Sequence, residues 1–250
     1  MNLFWLEQTE ADVPAENDWL SARETQRLSA LRFPKRRGDW RLGRWTAKRA
    51  VAAHLKLVAP PSALAAIEIR AAPSGAPKVF LQGEPAALAI SLSHRAGTAV
   101  CAVMPALAAM GCDLEEIEPR DDNFFQDYFT AEERAMVAKA AEVDRPWIST
   151  LIWSAKESAL KALQVGLRAD TRAVAVTLLD PIPQCGKEEG TLTPFSITSN
   201  CWLPLRVDSS SGAAFHGWWR RTQQFVYTVV SNPPPDVPVL LNIAQSTNGG

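Results

Sequence analysis

From Asp39 to about Leu57 the chain reads as one helix, broken upstream at Pro34 and stopped by Pro60-Pro61. Leu42, Trp45 and Leu55 give that helix an apolar side, which must lie against something equally apolar. Short alternating stretches supply the partner. Ile67–Arg70, Ala89–Ser93 and Ala99–Met104 read as strands, the last two joined around Gly97, with Ala71–Pro77 as a loop. The pattern then recurs: a strand at Met110–Glu116, helices at Ala131–Ala141 and Ser154–Gln164, and closing strands at Thr171–Leu179, Phe195–Ser199, Ala213–Arg220 and Gln224–Val230. Helices interleaved with strands place the chain in a mixed α and β class. Met104-Pro105-Ala106 divides it into halves, 1–104 and 105–231, and 232–250 has the composition of a flexible tail. No internal repeat is visible in the sequence.

With 250 residues and 47% hydrophobic content the chain can bury a sizeable core. The formal charge of −1 argues against a protein held on nucleic acid by its overall field. That total hides two opposed segments. Between Arg23 and Lys56 eleven Lys and Arg face two acids, a local +9, and between Asp113 and Asp144 eleven acids face three bases, a local −8. In the first, Arg37, Arg41, Arg44 and Lys48 recur at helical spacing on one face, and phosphate suits such a stripe. A solvated face and a nucleic-acid helix are the competing readings of the stripe. Cys101, Cys112, Cys185 and Cys201 form no C-x-x-C pair and read as thiols of a reducing compartment. The N-terminus lacks the features of a secretion signal, and the longest uncharged run, Ala96–Cys112, is interrupted by Pro105 and fits two strands better than a membrane span. A cytoplasmic location is expected.

Three stretches carry chemistry. In Gly111-Cys112-Asp113-Leu114-Glu115 the two acids are two apart and share one face of a strand, a pattern that suits Mg²⁺, although on its own it more often marks a solvated edge. Trp153-Ser154-Ala155-Lys156-Glu157 continues to Lys161; Ser154 and Glu157 can form a capping box and Glu157 with Lys161 an i,i+4 pair, or the same residues can add a carboxylate and a cation to a site. Ser91-Leu92-Ser93-His94 runs into a glycine turn and can offer a hydroxyl and an imidazole to a phosphate, or serve only the turn. His54 and His216 read as structural.

Taken in order, S-x-S-H-x-x-G, then G-x-D-x-E, then W-S-x-K-E-S-x-x-K resemble the 4′-phosphopantetheinyl transferases, most closely the long, surfactin-synthetase-activating type. The likeness spans roughly Arg32 to Lys161. It includes Phe129-Thr130 with Glu132, Gly75-Ala76-Pro77-Lys78, and Gly43-Arg44. Cys112 stands where the family usually has Ile or Val, Lys48 where an arginine is more usual, and nothing after Arg168 carries a signature.

The resemblance implies an α+β fold of two similar halves related by a pseudo-twofold, each a small, mainly antiparallel sheet with a long packed helix. It implies coenzyme A and Mg²⁺ (or Mn²⁺) in the cleft between them, and an apo carrier protein as the partner that accepts 4′-phosphopantetheine on a serine. By carry-over, Asp113, Glu115 and Glu157 hold the metal, Lys161 neutralises phosphoryl oxygens, and Arg44, Lys48, Lys78, Ser93 and His94 hold the 3′-phosphate end. Glu157 or a water on the metal accepts the serine proton. The aromatic residues of Arg120–Tyr128 are assigned to a carrier-docking loop or to the core beneath it. Neither nucleic acid nor membrane is implied, and a monomer is expected. A non-catalytic coenzyme A or nucleotide-binding module is the alternative.

Overall fold

The computed structural model describes residues 1–57, 60–165, 169–179 and 201–243. Its elements begin with β1 (Phe4–Thr9), α1 (Ala22–Ser29), α2 (Pro34–His54), β2 (Ile67–Ala71), β3 (Pro77–Leu81), β4 (Glu84–Arg95), β5 (Thr98–Pro105) and β6 (Ala109–Glu116). They continue with α3 (Asp122–Tyr128), α4 (Ala131–Lys139), α5 (Arg145–Ala162), β7 (Val174–Leu178), β8 (Leu203–Ser209), β9 (Ala214–Arg221), β10 (Phe225–Asn232) and β11 (Val239–Leu240). Two compact units result. The N-terminal unit is Asn2–Ala108 with Pro238–Gly250; the C-terminal unit is Met1 with Ala109–Val237.

Each unit is a sheet with one long helix across it, so the class is α+β. In the N-terminal unit the strand order is β11-β1-β5-β4-β3-β2, antiparallel except where β11 runs parallel to β1. Helix α2 packs on β1 and β5. The β4–β5 hairpin closes through Ala96 and Gly97, both at positive φ, the two-residue turn whose twist matches its strands. In the C-terminal unit the order is β6-β10-β9-β8-β7, wholly antiparallel, and α5 packs on β6 and β10. Its core joins Leu151, Ile152, Ala155 and Ala159 of α5 to Leu205, Val207, Phe215 and Val230 of the sheet.

In both units a lysine of the long helix is removed from water. Lys48 and Lys156 are each 0% exposed. Lys48 Nζ lies 2.5 Å from Glu24 and donates to the carbonyls of Trp19 and Leu64 at 2.8 and 3.2 Å. Lys156 Nζ lies 2.8 Å from Glu133 and donates to the carbonyls of Thr171 and Val174 at 2.9 and 2.6 Å. An ammonium has three protons, and each of these spends all three. The carboxylates are as fully engaged. Glu24 closes a capping box with Ser21 at the start of α1 and accepts the Ile69 backbone N–H; Glu133 does the same with Thr130 at the start of α4 and accepts that of Val176. One short helix, one long helix and one edge strand are therefore tied at a single point, twice. Burial pulls both lysines below their ordinary range, and the glutamates act against that pull.

The duplication is written in the sequence after all: Trp45-Thr46-Ala47-Lys48 corresponds to Trp153-Ser154-Ala155-Lys156. Other expectations also change. The segment from Asn232, expected as a loose tail, is held through Ile243: β11 adds to the β1 edge, and Leu241 and Ile243 pack on the core. Helix α5 starts at Arg145, with Pro146 in its first turn, well before Ser154. Strands β3 and β8 were not anticipated. Cys101 and Cys112 are free and buried, but Cys201 is disulfide-bonded, so the expectation of four thiols fails there: sequence spacing does not reveal pairing in space. Cys185, the strand expected at Phe195–Ser199 and the end of the chain from 244 lie outside the described residues. Among the described residues no helix is long and apolar enough to cross a membrane.

Removing one member of a buried ion pair strands the other. Glu24→Ala and Lys156→Met are each expected to lower stability by about 3–5 kcal/mol in denaturant titrations. A loss below about 1 kcal/mol would show that the pair does not tie the elements together.

Candidate active site

Helix α5 crosses β6 in the opposite sense. At one end the Trp153 indole donates from Nε1 to Glu115 Oε1 at 3.2 Å. At the other, Lys161 Nζ donates to Asp113 Oδ1 at 2.7 Å and to the Cys112 carbonyl at 3.0 Å. Two spacings make this possible. Trp153, Glu157 and Lys161 follow one another at four residues, about 6 Å per step at 1.5 Å per residue. Gly111, Asp113 and Glu115 follow at two residues, about 6.7 Å per step along a strand. The repeats nearly coincide, so the facing side chains stay in register over the whole contact.

Close approach comes from Gly111. A Cβ there would sit 1.9 Å from the Ser158 carbonyl oxygen and 2.8 Å from the Ala162 nitrogen, so the helix backbone rests directly on the strand. Its rotation is fixed by hydroxyls. Ser154 Oγ and Ser158 Oγ lie 2.9 and 2.7 Å from Thr228 Oγ1, and Thr228 pairs with Asp113 across the sheet.

The electrostatics follow from that register. Burial raises the Glu157 carboxyl above its ordinary range, Asp113 adds to the rise, and Lys161 opposes it. Glu157 Oε1 is buried and has no hydrogen-bond partner. For Lys161 burial acts against the charge, but Asp113 and Glu157 outweigh it and hold the ammonium above the ordinary lysine range.

Asp113, Glu157 and Lys161 are thus brought together, and Glu115 stands one strand step away. Among the described residues no three His, Cys, Asp or Glu side chains form a closed metal cage. Asp113 lends an oxygen to Lys161 and Glu115 lends one to Trp153. The donor set still fits a hard divalent ion: all three donors are carboxylates, and Glu157 keeps a buried oxygen that no proton satisfies. The capping-box reading of Ser154 and Glu157 is overturned, because Ser154 lies in mid-helix and its hydroxyl is bound to Thr228. The capping box of this region belongs to Thr130 and Glu133 instead.

Residues assigned to the 3′-phosphate lie in the N-terminal unit and fare differently. Lys48 is corrected: sealed against Glu24 and two carbonyls, it has no proton to give a ligand. With it goes the four-cation stripe. Arg41 donates to the carbonyls of Pro14 and Ala15, while Arg37 is exposed. Arg44 stacks its guanidinium 5.1 Å from the Trp40 ring centre and keeps a buried Nε without a hydrogen-bond partner. Burial disfavours its charge, nearby Glu24 supports it, and Arg27 opposes it. The neighbouring Gly43 faces His94, whose Cδ2 would be 3.9 Å from a Cβ at that glycine. Ser93 and His94 lie in the last turnward residues of β4, ahead of Arg95 and the Ala96-Gly97 turn, and Lys78 is exposed on β3.

In α3, Phe124 and Phe125 are half-buried and pack on the core cluster, as the second of the two readings of this stretch has it; Tyr128 is 37% exposed. Trp153, Gly111, Thr228 and Glu133 were not anticipated as parts of the site. For Trp153 the signal was present, since it stands four residues before Glu157, as Glu157 stands before Lys161.

Gly111→Ala places a methyl on the α5 backbone, which cannot yield as a side chain can. A loss of about 1–3 kcal/mol or more is expected in denaturant titrations, and an unchanged midpoint would contradict the close packing.

No curated protein is similar enough to match the chain. Among solved structures, the Helicobacter pylori holo-[acyl-carrier-protein] synthase in complex with coenzyme A aligns over 41% of this chain and 98% of its own. Its 19% identity and TM-score of 0.29 are too low for that likeness to carry an argument. Residues 109–211 match the model of the 4′-phosphopantetheinyl transferase superfamily, a span that contains β6, α5 and all the residues on which they meet.

Proposed function

We propose that the chain transfers 4′-phosphopantetheine from coenzyme A to a serine hydroxyl of an apo carrier protein and releases adenosine 3′,5′-bisphosphate, in the manner of the surfactin-synthetase-activating type. The observation that supports this most is the meeting of Asp113, Glu157 and Lys161 between β6 and α5, inside the segment that matches the family. An acidic pair beside a fixed cation is what a diphosphate undergoing substitution requires.

In the reaction the serine Oγ bonds to the phosphorus of the pantetheine phosphate while the bridging P–O bond breaks toward the adenosine side. The serine proton must leave. Glu157 is the acceptor we assign, because burial and Asp113 make its carboxylate more basic and its Oε1 is not already bound. Lys161 faces the same place with a proton-rich, firmly charged ammonium and neutralises phosphoryl oxygen as charge shifts to the leaving group. Asp113, Glu115 and Glu157 would hold Mg²⁺, which when bound supplies charge neutralisation to the diphosphate. Arg44, with its unmatched Nε, and Ser93 and His94 are assigned to the 3′-phosphate, with Lys78 as a further cation; Lys48 is not.

Incubation with coenzyme A, Mg²⁺ and an apo carrier protein should add one phosphopantetheine arm to the carrier by mass spectrometry, and chelator should abolish the addition. Asp113→Ala should reduce the rate by about 10²–10³-fold, as loss of a key electrostatic group does. Near-normal turnover by that variant would overturn the assignment of the site.

A further inference from the structure

The hydroxyls under α5 have no counterpart under α2, although the two helices share one scaffold. Ser154, Ser158 and Thr228 are each 0% exposed. Ser158 donates to the Thr228 carbonyl at 3.3 Å, and its Oγ lies 2.7 Å from Thr228 Oγ1, which lies 2.9 Å from Ser154 Oγ. A hydroxyl has one proton to give, so the order is fixed: Ser154 donates to Thr228, Thr228 to Ser158, and Ser158 to the Thr228 carbonyl. Thr228 is the middle of that chain and joins both serines to β10. In the N-terminal unit Thr46 stands at the place of Ser154 and Ala50 at that of Ser158. Cys101, the fourth residue of β5, stands at the place of Thr228, the fourth residue of β10. Thr46 turns its hydroxyl back to the Leu42 carbonyl of its own helix at 2.9 Å, and Ala50 and Cys101 join the apolar core. Cys101 is paired across the sheet with Leu6, where Thr228 is paired with Asp113. The scaffold therefore holds a helix on its sheet without these hydroxyls, and they occur in the unit that carries the acids and Lys161.

We propose that Thr228 is a positioning residue for the transfer: through Ser154 and Ser158 it sets the rotation of α5, and so the direction in which Glu157 and Lys161 face β6. This rests on the roles given to those two residues under the proposed function. Ser154 stands three residues before Glu157, and Ser158 stands one after it and three before Lys161. Lys156 fixes the height of α5, but it is a single point about which a helix can still turn. Two serines one helical turn apart, both bound to one strand hydroxyl, remove that freedom. A rotation of about 10° would move atoms about 6 Å from the helix axis by about 1 Å. That is enough to break the 2.7 Å contact between Lys161 and Asp113. The same rotation would leave a buried hydroxyl unpaired, and an unpaired buried group costs more than its hydrogen bond contributes.

The test is steady-state transfer to an apo carrier protein with coenzyme A and Mg²⁺, with a denaturant titration of each variant. Thr228→Val keeps the shape and removes the hydroxyl. Its kcat should fall by about 10–10²-fold, the size of effect a displacement near 1 Å produces, with KM for coenzyme A unchanged. Thr228→Ser keeps the hydroxyl and should keep most of the wild-type kcat. The deciding variant combines Ser154→Ala, Ser158→Ala and Thr228→Val, which gives α5 the apolar underside that α2 has. With no hydroxyl left unpaired, its unfolding midpoint should return toward that of the wild type while kcat stays low. A structural role alone would move stability and rate together. Wild-type kcat in the triple variant therefore overturns the positioning role and leaves the transferase reading standing. An equal loss in Thr228→Ser and Thr228→Val also overturns it, since the hydroxyl is then not responsible. No transfer by the wild-type chain overturns the transferase reading and this role with it.

Discussion

A lysine ammonium with no contact with water is costly to bury, and each unit ties its helices and edge strand around one. Taking an ammonium out of water costs several kcal/mol even after relaxation, and only complete satisfaction offsets it. Glu24 and Glu133 supply the charge, backbone carbonyls supply the remaining acceptors, and each glutamate also caps a helix and receives an edge-strand N–H. Such a junction tolerates no sliding. If α5 shifted along its axis by one residue, about 1.5 Å, Lys156 would lose its acceptors. Since Glu157 follows Lys156 directly, the same anchor sets the height at which Glu157 and Lys161 meet β6.

The two units share this scaffold and differ in what they place on it. Beyond Lys156 come Glu157 and, four residues on, Lys161; beyond Lys48 come Arg49 and, at the matching position, Ala53. Arg49 lies with its guanidinium 5.5 Å from the Trp45 ring centre. A duplicated frame therefore carries acids and an ammonium in one copy and an aromatic–cation contact in the other. Fold and chemistry are separable at the level of single side chains: one buried pair holds the helix, and the next residue decides what the helix does.

Much of the acidic site could be read before any coordinates. The two-residue step of Gly111, Asp113 and Glu115 fixes one strand face, and the four-residue step from Glu157 to Lys161 fixes one helix face; each is a local property. What could not be read is which helix lies on which strand. For that reason Trp153 and Gly111 passed only as letters of their motifs. Burial was equally hidden. Lys48 is on the same helix as Arg44 and carries the same charge, yet one is sealed against Glu24 and the other keeps an unmatched nitrogen, and no spacing distinguishes them. The W-[ST]-A-K duplication was short enough to miss without the matching glutamates, which stand 24 and 23 residues upstream inside their own capping boxes. Ser154 misled for the opposite reason: S-x-x-E is a cap only where a helix begins, and α5 had begun at Arg145.

The account stands on carboxylates of β6 and α5 closing on a single divalent ion opposite a diphosphate. Crystals grown with coenzyme A and Mn²⁺, measured at the manganese absorption edge, test it most directly. The predicted result is one anomalous peak within coordination distance of Asp113 and Glu157, with the diphosphate oxygens on its far side. Bound coenzyme A with no peak among those carboxylates, or a peak lying elsewhere in the chain, would contradict it.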